Sequence, residues 1–489
     1  MDWGSGITYF GSTAFKGSDV SFGIKDRDRT EHFFAMGKTE NGRVALLARM
    51  ALQDIERGIG TVILDATGNV GQLVLERIDQ HMDDRLVFLD PSDGEFPFSW
   101  NVLDDFRSLP QEAGVPLLSR ALASVYRFPV SDLSTALARK LFIDPSLTIV
   151  DVYELVFDEK FRKQVFGDDA EKVRFEEILN TEKESVELIT EHGRYIAKDT
   201  LVRNLVGQQK SKFSMGALKE RGIVIVDLSR IKMFPTRATP LVRLSVHAAH
   251  ARATENDNPV SVFLHDCLRY LSEEDIGYLF PDRKLAFTIS DTIYHEEDKT
   301  VREQAIARSS SIISFLPHHL DLPLAERMFY PYVHSDELLK FEEDEFAVAL
   351  SIDSVRSRPF FAKVLPLAER RGTSHQDLIG MSRERFTTPR TKVDLFFKKK
   401  IQPSDDPSGK EKGGESGSFS DTFRSIFAKR AAEPVADVKK IPDSTTQKPP
   451  SSSPSQKTET PKTGGAGSKP DEIPEEELRR MLYVDTSSF

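Results

Sequence analysis

One cysteine, Cys267, stands in a chain of 489 residues. No disulfide framework is possible, and so little thiol fits a reducing compartment. No apolar run reaches about 18 residues, the length a membrane-crossing helix needs. The first residues, Met1-Asp2-Trp3-Gly4-Ser5-Gly6, carry neither the basic nor the apolar region of a signal peptide. A soluble, cytoplasmic chain is expected. A basic balance is missing too: the formal net charge is −11. Residues 391–489 hold 17 basic and 16 acidic side chains, which leaves 49 basic against 61 acidic in residues 1–390 and a charge of −12 on that part. Proteins that grip nucleic acid through its phosphates usually show a basic face, so this composition speaks against a free-standing nucleic-acid binder. The length suggests two to three units and a core large enough to need no metal or disulfide staple.

What is present alternates. Ile7-Thr8-Tyr9-Phe10-Gly11 and Val20-Ser21-Phe22-Gly23-Ile24 read as short strands. Residues 43–57 read as a helix, 61–65 as a buried strand, 70–80 as a helix, and 85–90 as a strand stopped by Pro91. Strands alternating with helices predict a parallel sheet covered on both faces. From about 105 to 200 the strand signal fades, and Leu117, Leu118, Leu122, Val125, Leu137 and Leu141 recur at helical spacing. An inserted all-α subdomain is expected there. The sheet pattern resumes at 223–228, followed by a helix at 238–253, strands at 260–264, 285–289, 311–315 and 346–350, and a closing segment at 357–367. The expected division is therefore 1–104 and 201–390 for one α/β core, 105–200 for the helical insertion, and 391–489 for a disordered tail. Within the tail, Phe419, Phe423, Ile426 and Phe427, and later Ile473, Leu478, Met481 and Leu482, form two apolar islands. They fit either residual apolar content or short helices that fold on a partner.

The stretch Phe33-Phe34-Ala35-Met36-Gly37-Lys38-Thr39-Glu40-Asn41-Gly42-Arg43-Val44 organises the chain. An apolar strand enters a loop with Gly37 and Gly42 at its first and sixth positions, and the loop opens a helix. That is the layout of a P-loop, G-x-x-x-x-G-K-[ST], in which backbone N–H groups wrap phosphates, a lysine reaches the β/γ oxygens and a hydroxyl holds Mg²⁺. Here Arg43 replaces the lysine and Val44 the hydroxyl. Arginine keeps the charge in a bulkier planar fork, whereas valine has no oxygen for a cation that takes only oxygen ligands. Glu40 adds a carboxylate inside the loop, where two like charges about 4 Å apart repel by roughly 4 kcal/mol at an effective ε of about 20. Weak or absent nucleotide binding is expected. Taken alone, Gly37 and Gly42 also fit an ordinary strand-to-helix turn.

An ordered series of short motifs extends this stretch: Ile7 to Gly11, Gly23-Ile24-Lys25 with Asp28-Arg29, Met50 to Asp54, Asp90-Pro91-Ser92-Asp93, Arg203-Asn204-Leu205-Val206-Gly207-Gln208, Asp227-Leu228-Ser229, Ile312 to Phe315 and Ser357-Arg358-Pro359-Phe360. Over roughly residues 7–370 the chain resembles the TraG/TraD-like coupling proteins of conjugative type IV secretion, within the FtsK/HerA class of ring-forming DNA pumps. The resemblance implies a RecA-like P-loop NTPase fold with an inserted all-α subdomain, usually hexameric, hydrolysing ATP to move DNA toward a secretion channel. Many family members carry transmembrane segments; here attachment at the inner membrane is expected through partners.

The sequence departs from that family at its catalytic positions. Where the family has an Asp-Glu pair after an apolar strand, this chain has His265-Asp266. The family's glutamine, a γ-phosphate sensor, falls on Thr292. Arg302 matches a family arginine that faces a neighbouring subunit, and it equally fits a solvated helix position. No second His stands at ligand spacing from His265, so no metal site is expected and a strand-end histidine is favoured. Phosphoryl transfer depends on positioned charge and Mg²⁺, and three parts of that apparatus are missing. The expectation is a pseudo-ATPase without a cofactor, a structural or regulatory subunit that joins ATP-competent relatives and type IV secretion components in a ring and binds DNA weakly alone. The alternative is an active translocase that uses ATP and Mg²⁺ through nonstandard residues.

Overall fold

The computed structural model describes residues 6–15, 18–167, 170–255, 259–292, 299–370 and 374–401. Both apolar islands of the tail, and with them the short helices they could form, lie outside the described residues.

Thirteen strands are described: β1 Ile7–Phe15, β2 Ser18–Lys25, β3 Phe33–Met36, β4 Thr61–Asp65, β5 Leu86–Leu89, β6 Ile223–Asp227, β7 Val260–His265, β8 Leu285–Asp291, β9 Ser311–Ser314, β10 Glu345–Ala349, β11 Ser351–Ile352, β12 Val355–Arg356 and β13 Phe360–Val364. Eleven of them form one sheet in the order β2-β1-β13-β10-β9-β3-β8-β7-β4-β6-β5, while β11 and β12 pair as a separate hairpin. From β9 to β5 all neighbours are parallel; from β9 through β10, β13, β1 and β2 they are antiparallel. The two short strands expected near the N-terminus are thus longer, and they extend the parallel sheet at one edge.

The central strands read as unbroken apolar runs because both faces are buried. Alternate side chains feed two cores. Phe34, Met36, Val62, Leu64, Val224 and Val226 enter one, and Phe33, Ala35, Ile63, Ile223 and Ile225 enter the other. The second core is closed by the helix Glu40–Glu56 through Leu46, Leu47, Met50, Ala51 and Ile55. The first is closed by the helix Pro235–Ala253, buried almost all round from Ala238 onward, and by the helices that run between Leu103 and Val206. Among the described residues that stretch contains no strand.

Two expectations shift. The helix expected over 70–80 stops at Leu75, with a 3₁₀ turn at Gln80–Arg85. The tail expected from 391 begins with a helix, Arg390–Ile401, because Val393 and Phe397 find buried places and Arg203 lies over the Phe397 ring. The N-terminal motifs converge on a buried charge cluster in which Arg29 and Arg57 share the carboxylate of Asp54 and both donate to Thr8. Among the described residues no helix is long and apolar enough to cross a membrane.

Candidate functional site

In the parallel half the carboxyl ends of the strands align. Asp227 of β6 is in register with Asp65 of β4, Asp65 with His265 of β7, His265 with Ser290 of β8, and Ser290 with Ala35 of β3. Open α/β sheets bind ligands at this end, and the Gly37-to-Val44 stretch leaves β3 here.

Only Gly37, Lys38 and Thr39 separate β3 from the helix, which begins at Glu40. Asn41, Gly42 and Arg43 are already helical. Gly42 lies under the chain that precedes β10: a Cβ there would stand 2.2 Å from the Glu343 carbonyl oxygen and 2.7 Å from the Phe315 ring. Asn41 donates to the Glu343 carboxylate at 2.7 Å, which fixes the same approach. Lys38 is exposed, and its backbone N–H donates to the Leu316 carbonyl.

Arg43 turns inward and is fully buried. Its Nη1 donates to Ser290 Oγ at 2.6 Å and to Asp266 Oδ1 at 3.2 Å, and its Nε donates to the Thr39 carbonyl. Val44 is buried in the apolar core beneath the helix. The Glu40 carboxylate sits at the positive end of the helix dipole, where it accepts from Asn69 Nδ2 at 2.7 Å and lies 3.5 Å from His265 Nε2. The His265 hydrogen bond, then those from Asn69 and Thr67, hold the Glu40 carboxyl down at about 2 against the opposing effect of burial. A carboxylate therefore stands in the first turn of this helix, bonded to side chains outside it. Thr39 Oγ1, Arg43 Nη2 and His265 Nδ1 are buried without a hydrogen-bond partner among the described residues.

His265 and Asp266 end β7 as expected. His265 is buried, and Asp266 adopts a left-handed conformation with φ +52° while its N–H donates to the Ser290 carbonyl. Thr292 follows β8, half-buried. Asp291, beside it, accepts from Arg302 Nε at 3.0 Å. Arg302 corrects the sequence reading. It is not a solvated helix arginine but 3% exposed, and a second carboxylate, Asp321, accepts from its Nη1 at 2.9 Å. Burial raises the Asp291 carboxyl, and the Arg302 charge opposes that rise. Asp65 serves the fold: its two oxygens accept the N–H groups of Thr67, Gly68 and Gly71 and the Thr67 hydroxyl, which caps the helix Asn69–Leu75.

Gly37, Gly42, Arg43, His265 and Asp266 are thus brought together, with Val44 turned away into the core. The sequence reading missed Ser290 and Asp321, whose single clue was a polar residue at or beyond the carboxyl end of an apolar strand. Mg²⁺ with a nucleotide is the group this layout implies, and the residues do not fit it. Val44 stands where the motif has its hydroxyl, Glu40 stands in the first turn of the helix, and Arg43 Nη1 and Nε are engaged inside the protein. Among the described residues no group of His, Cys, Asp and Glu is placed to hold a metal.

No protein-family model matches the sequence, and no curated protein does. Solved structures do match. The unbound bacterial conjugative coupling protein TrwBdeltaN70 aligns over 74% of this chain and 91% of that one, at 12% identity and a TM-score of 0.50. Plasmid coupling protein TrwB in complex with ADP and Mg²⁺ aligns with the same coverage, identity and score. VirB4 of Thermoanaerobacter pseudethanolicus aligns over 75% of this chain and 98% of that one, at 11% identity and a TM-score of 0.47. The chain has the α/β, RecA-like P-loop fold of the coupling protein TrwB, built on one large and mostly parallel sheet.

Proposed function

We propose that the chain is a coupling-protein-like subunit of a type IV secretion or conjugation machine whose own nucleotide site has decayed, so that it acts as a structural or regulatory pseudo-ATPase. The observation that carries this reading is the first turn of the helix after β3. It begins at Glu40, places that carboxylate at the phosphate end, and commits Arg43 to Ser290 and Asp266. Substitution at Val44, His265 and Thr292 removes the oxygen ligands and the sensor that a nucleotide with Mg²⁺ would use. On this reading 1–104 and 201–390 are the RecA-like core, 105–200 is the inserted helical subdomain, and the ring is completed by ATP-competent relatives at the inner membrane. Arg302 is committed within its own chain, so contact with neighbours falls to other surfaces. The segment that exposes Leu320, Tyr330, Tyr332 and Leu339 is one such surface.

One observation favours a second reading, an active ATP-driven translocase. Arg43 Nη2 and Thr39 Oγ1 are buried in this stretch without a hydrogen-bond partner among the described residues, two groups that a phosphate oxygen would satisfy. Calorimetric titration of the full chain with ATP, with and without Mg²⁺, and a turnover assay separate the two. The pseudo-ATPase reading expects neither binding heat nor turnover above a protein-free control. Mg²⁺-dependent turnover that disappears in a folded Asp266→Asn variant would establish the translocase instead.

A further inference from the structure

Away from the β3 site, a cleft of about 800 Å³ opens between the end of the helix Gln111–Tyr126, the start of the helix Pro235–Ala253 and the segment 269–278. Four arginines line it: Arg120, Arg127, Arg243 and Arg269. Arg243 is buried, and it donates to the carbonyls of Tyr270 and Ser124. Arg120 lies over the Tyr278 ring, 4.2 Å from its centroid. Arg120, Arg127 and Arg269 are exposed, and none of the three has a carboxylate partner among the described residues. Two carboxylates stand against these four arginines in the lining: Asp275 is already taken by His247 at 3.0 Å and Arg243 at 3.5 Å, and Glu274 is exposed. In an acidic protein this gathers like charges into one concavity, an arrangement that an anionic occupant relieves.

The rest of the lining says what kind of anion. Phe128, Pro129, Val130 and Leu271 face the same space, and Val130 is 53% exposed. A phosphate has no use for such a wall. A peptide that is acidic at one end and apolar at the other uses both halves, since the guanidinium fork matches carboxylates and the wall takes aliphatic side chains. The chain carries such a segment. Asp471, Glu472, Glu475, Glu476 and Glu477 fall within seven residues without a basic side chain, and Leu478, Met481 and Leu482 follow with Arg479 and Arg480 between them, so that five acidic against two basic side chains leave residues 471–482 a net charge of −3. Between Ile401 and Asp471 lie residues 402–470. A chain of that length reaches about 230 Å when extended, far beyond the radius of gyration of about 21 Å expected for a core of some 400 residues. We propose that residues 471–482 dock, carboxylates toward the arginines and aliphatic side chains toward Val130 and Phe128, in the cleft of their own chain.

The test uses the full chain. Cys267 is buried, and burial pushes its thiol pKa well up, so Ser487→Cys supplies the single reactive thiol for a fluorophore. Fluorescence anisotropy of that label is expected to report a docked segment. It should fall to the value of a free labelled peptide when Arg120, Arg127 and Arg269 are all changed to Glu, and also when Glu475, Glu476 and Glu477 are all changed to Lys. Combining both reversals is expected to restore it, independently of protein concentration. If the arginine reversal fails to fold, the tail reversal alone decides. Anisotropy that neither reversal moves overturns the proposal, as does a signal lost on dilution, which assigns the contact to a second copy. A label released by pyrophosphate but indifferent to the tail reversal assigns the cleft to phosphates and overturns it equally.

Discussion

Arg43 and Asp105 show two ways in which a single buried charge is managed. Arg43 is paired, and the pairing commits the group that a nucleotide site would need. Asp105 is fully buried and accepts from Trp100 Nε1 at 2.9 Å and Ser214 Oγ at 2.6 Å, with the Arg252 charge farther off. Burial outweighs those bonds and raises its carboxyl pKa from 3.8 to about 6. A carboxyl whose pKa is higher folded than unfolded holds its proton more tightly in the native state. Its contribution to stability is complete below about pH 4 and is lost as pH rises through about 6. The rise from 3.8 to about 6 corresponds to about 3 kcal/mol as an upper figure. In Asp105→Asn the amide keeps both contacts, accepting from Trp100 and donating to the Ser214 hydroxyl, and does not titrate. Urea unfolding from pH 4 to pH 8 is expected to show the variant gaining on the wild type as pH rises, by up to about 3 kcal/mol at pH 7. A difference that is constant with pH would mean that this carboxyl stays ionised throughout.

At the level of elements, the strands at 61–65, 223–227 and 260–265 are legible because each is a run of apolar residues closed by a polar one, and burial of both faces leaves no alternation to blur. The edge of the sheet is less so: β1 and β2 continue well past the runs read from the sequence. The substitutions at Arg43 and Val44 can be read within one eight-residue window. What fills the loop cannot, since Arg43 meets Ser290 across 247 positions and Gly42 meets Glu343 from farther still, and no local periodicity encodes such contacts. Arg302 misleads for the same reason, because Asp291 and Asp321 become its partners only when the strand ends are brought together. Two glycine substitutions separate helix propensity from packing. In the helix Glu273–Leu279 a Cβ at Gly277 meets nothing within 4 Å, so Gly277→Ala is expected to stabilise by about 0.5–1 kcal/mol. Gly42→Ala makes the same change in the helix Glu40–Glu56 but drives its methyl into the Glu343 carbonyl, so a loss of about 1–3 kcal/mol is expected. Denaturant midpoints of the two variants should therefore move in opposite directions, and a stabilising Gly42→Ala would show that the chain before β10 does not press on the first turn.

For the whole molecule, the helical stretch between β5 and β6 is visible from its spacing. The boundary of the tail is harder to read, and an expected start at 391 falls too early, because Arg390–Ile401 is charged enough to look unfolded while Val393, Phe396 and Phe397 pack on the core and Arg203 reaches Asp394. Charge is the property that composition gives most directly. Residues 1–390 carry 61 acidic and 49 basic side chains, and several of the basic ones are spent inside the protein: Arg29 and Arg57 on Asp54, Arg43 on Asp266, Arg302 on Asp291 and Asp321. The exposed arginines Arg120, Arg127 and Arg269 line a cleft, not a broad face, and cannot track the backbone of a duplex. A protein that neutralises several phosphates binds non-specifically with a Kd of about 10⁻⁴ to 10⁻⁶ M near physiological salt and weakens steeply as salt rises. This chain by itself is expected to bind a fluorescent DNA duplex more weakly than about 10⁻⁴ M under the same conditions, with little further change as salt is varied. Anisotropy titrations across a salt series make the measurement. Tight binding that collapses with salt would reveal a phosphate-tracking surface on the chain itself, and the proposed role in a DNA-transfer machine would then be one of direct contact with the cargo.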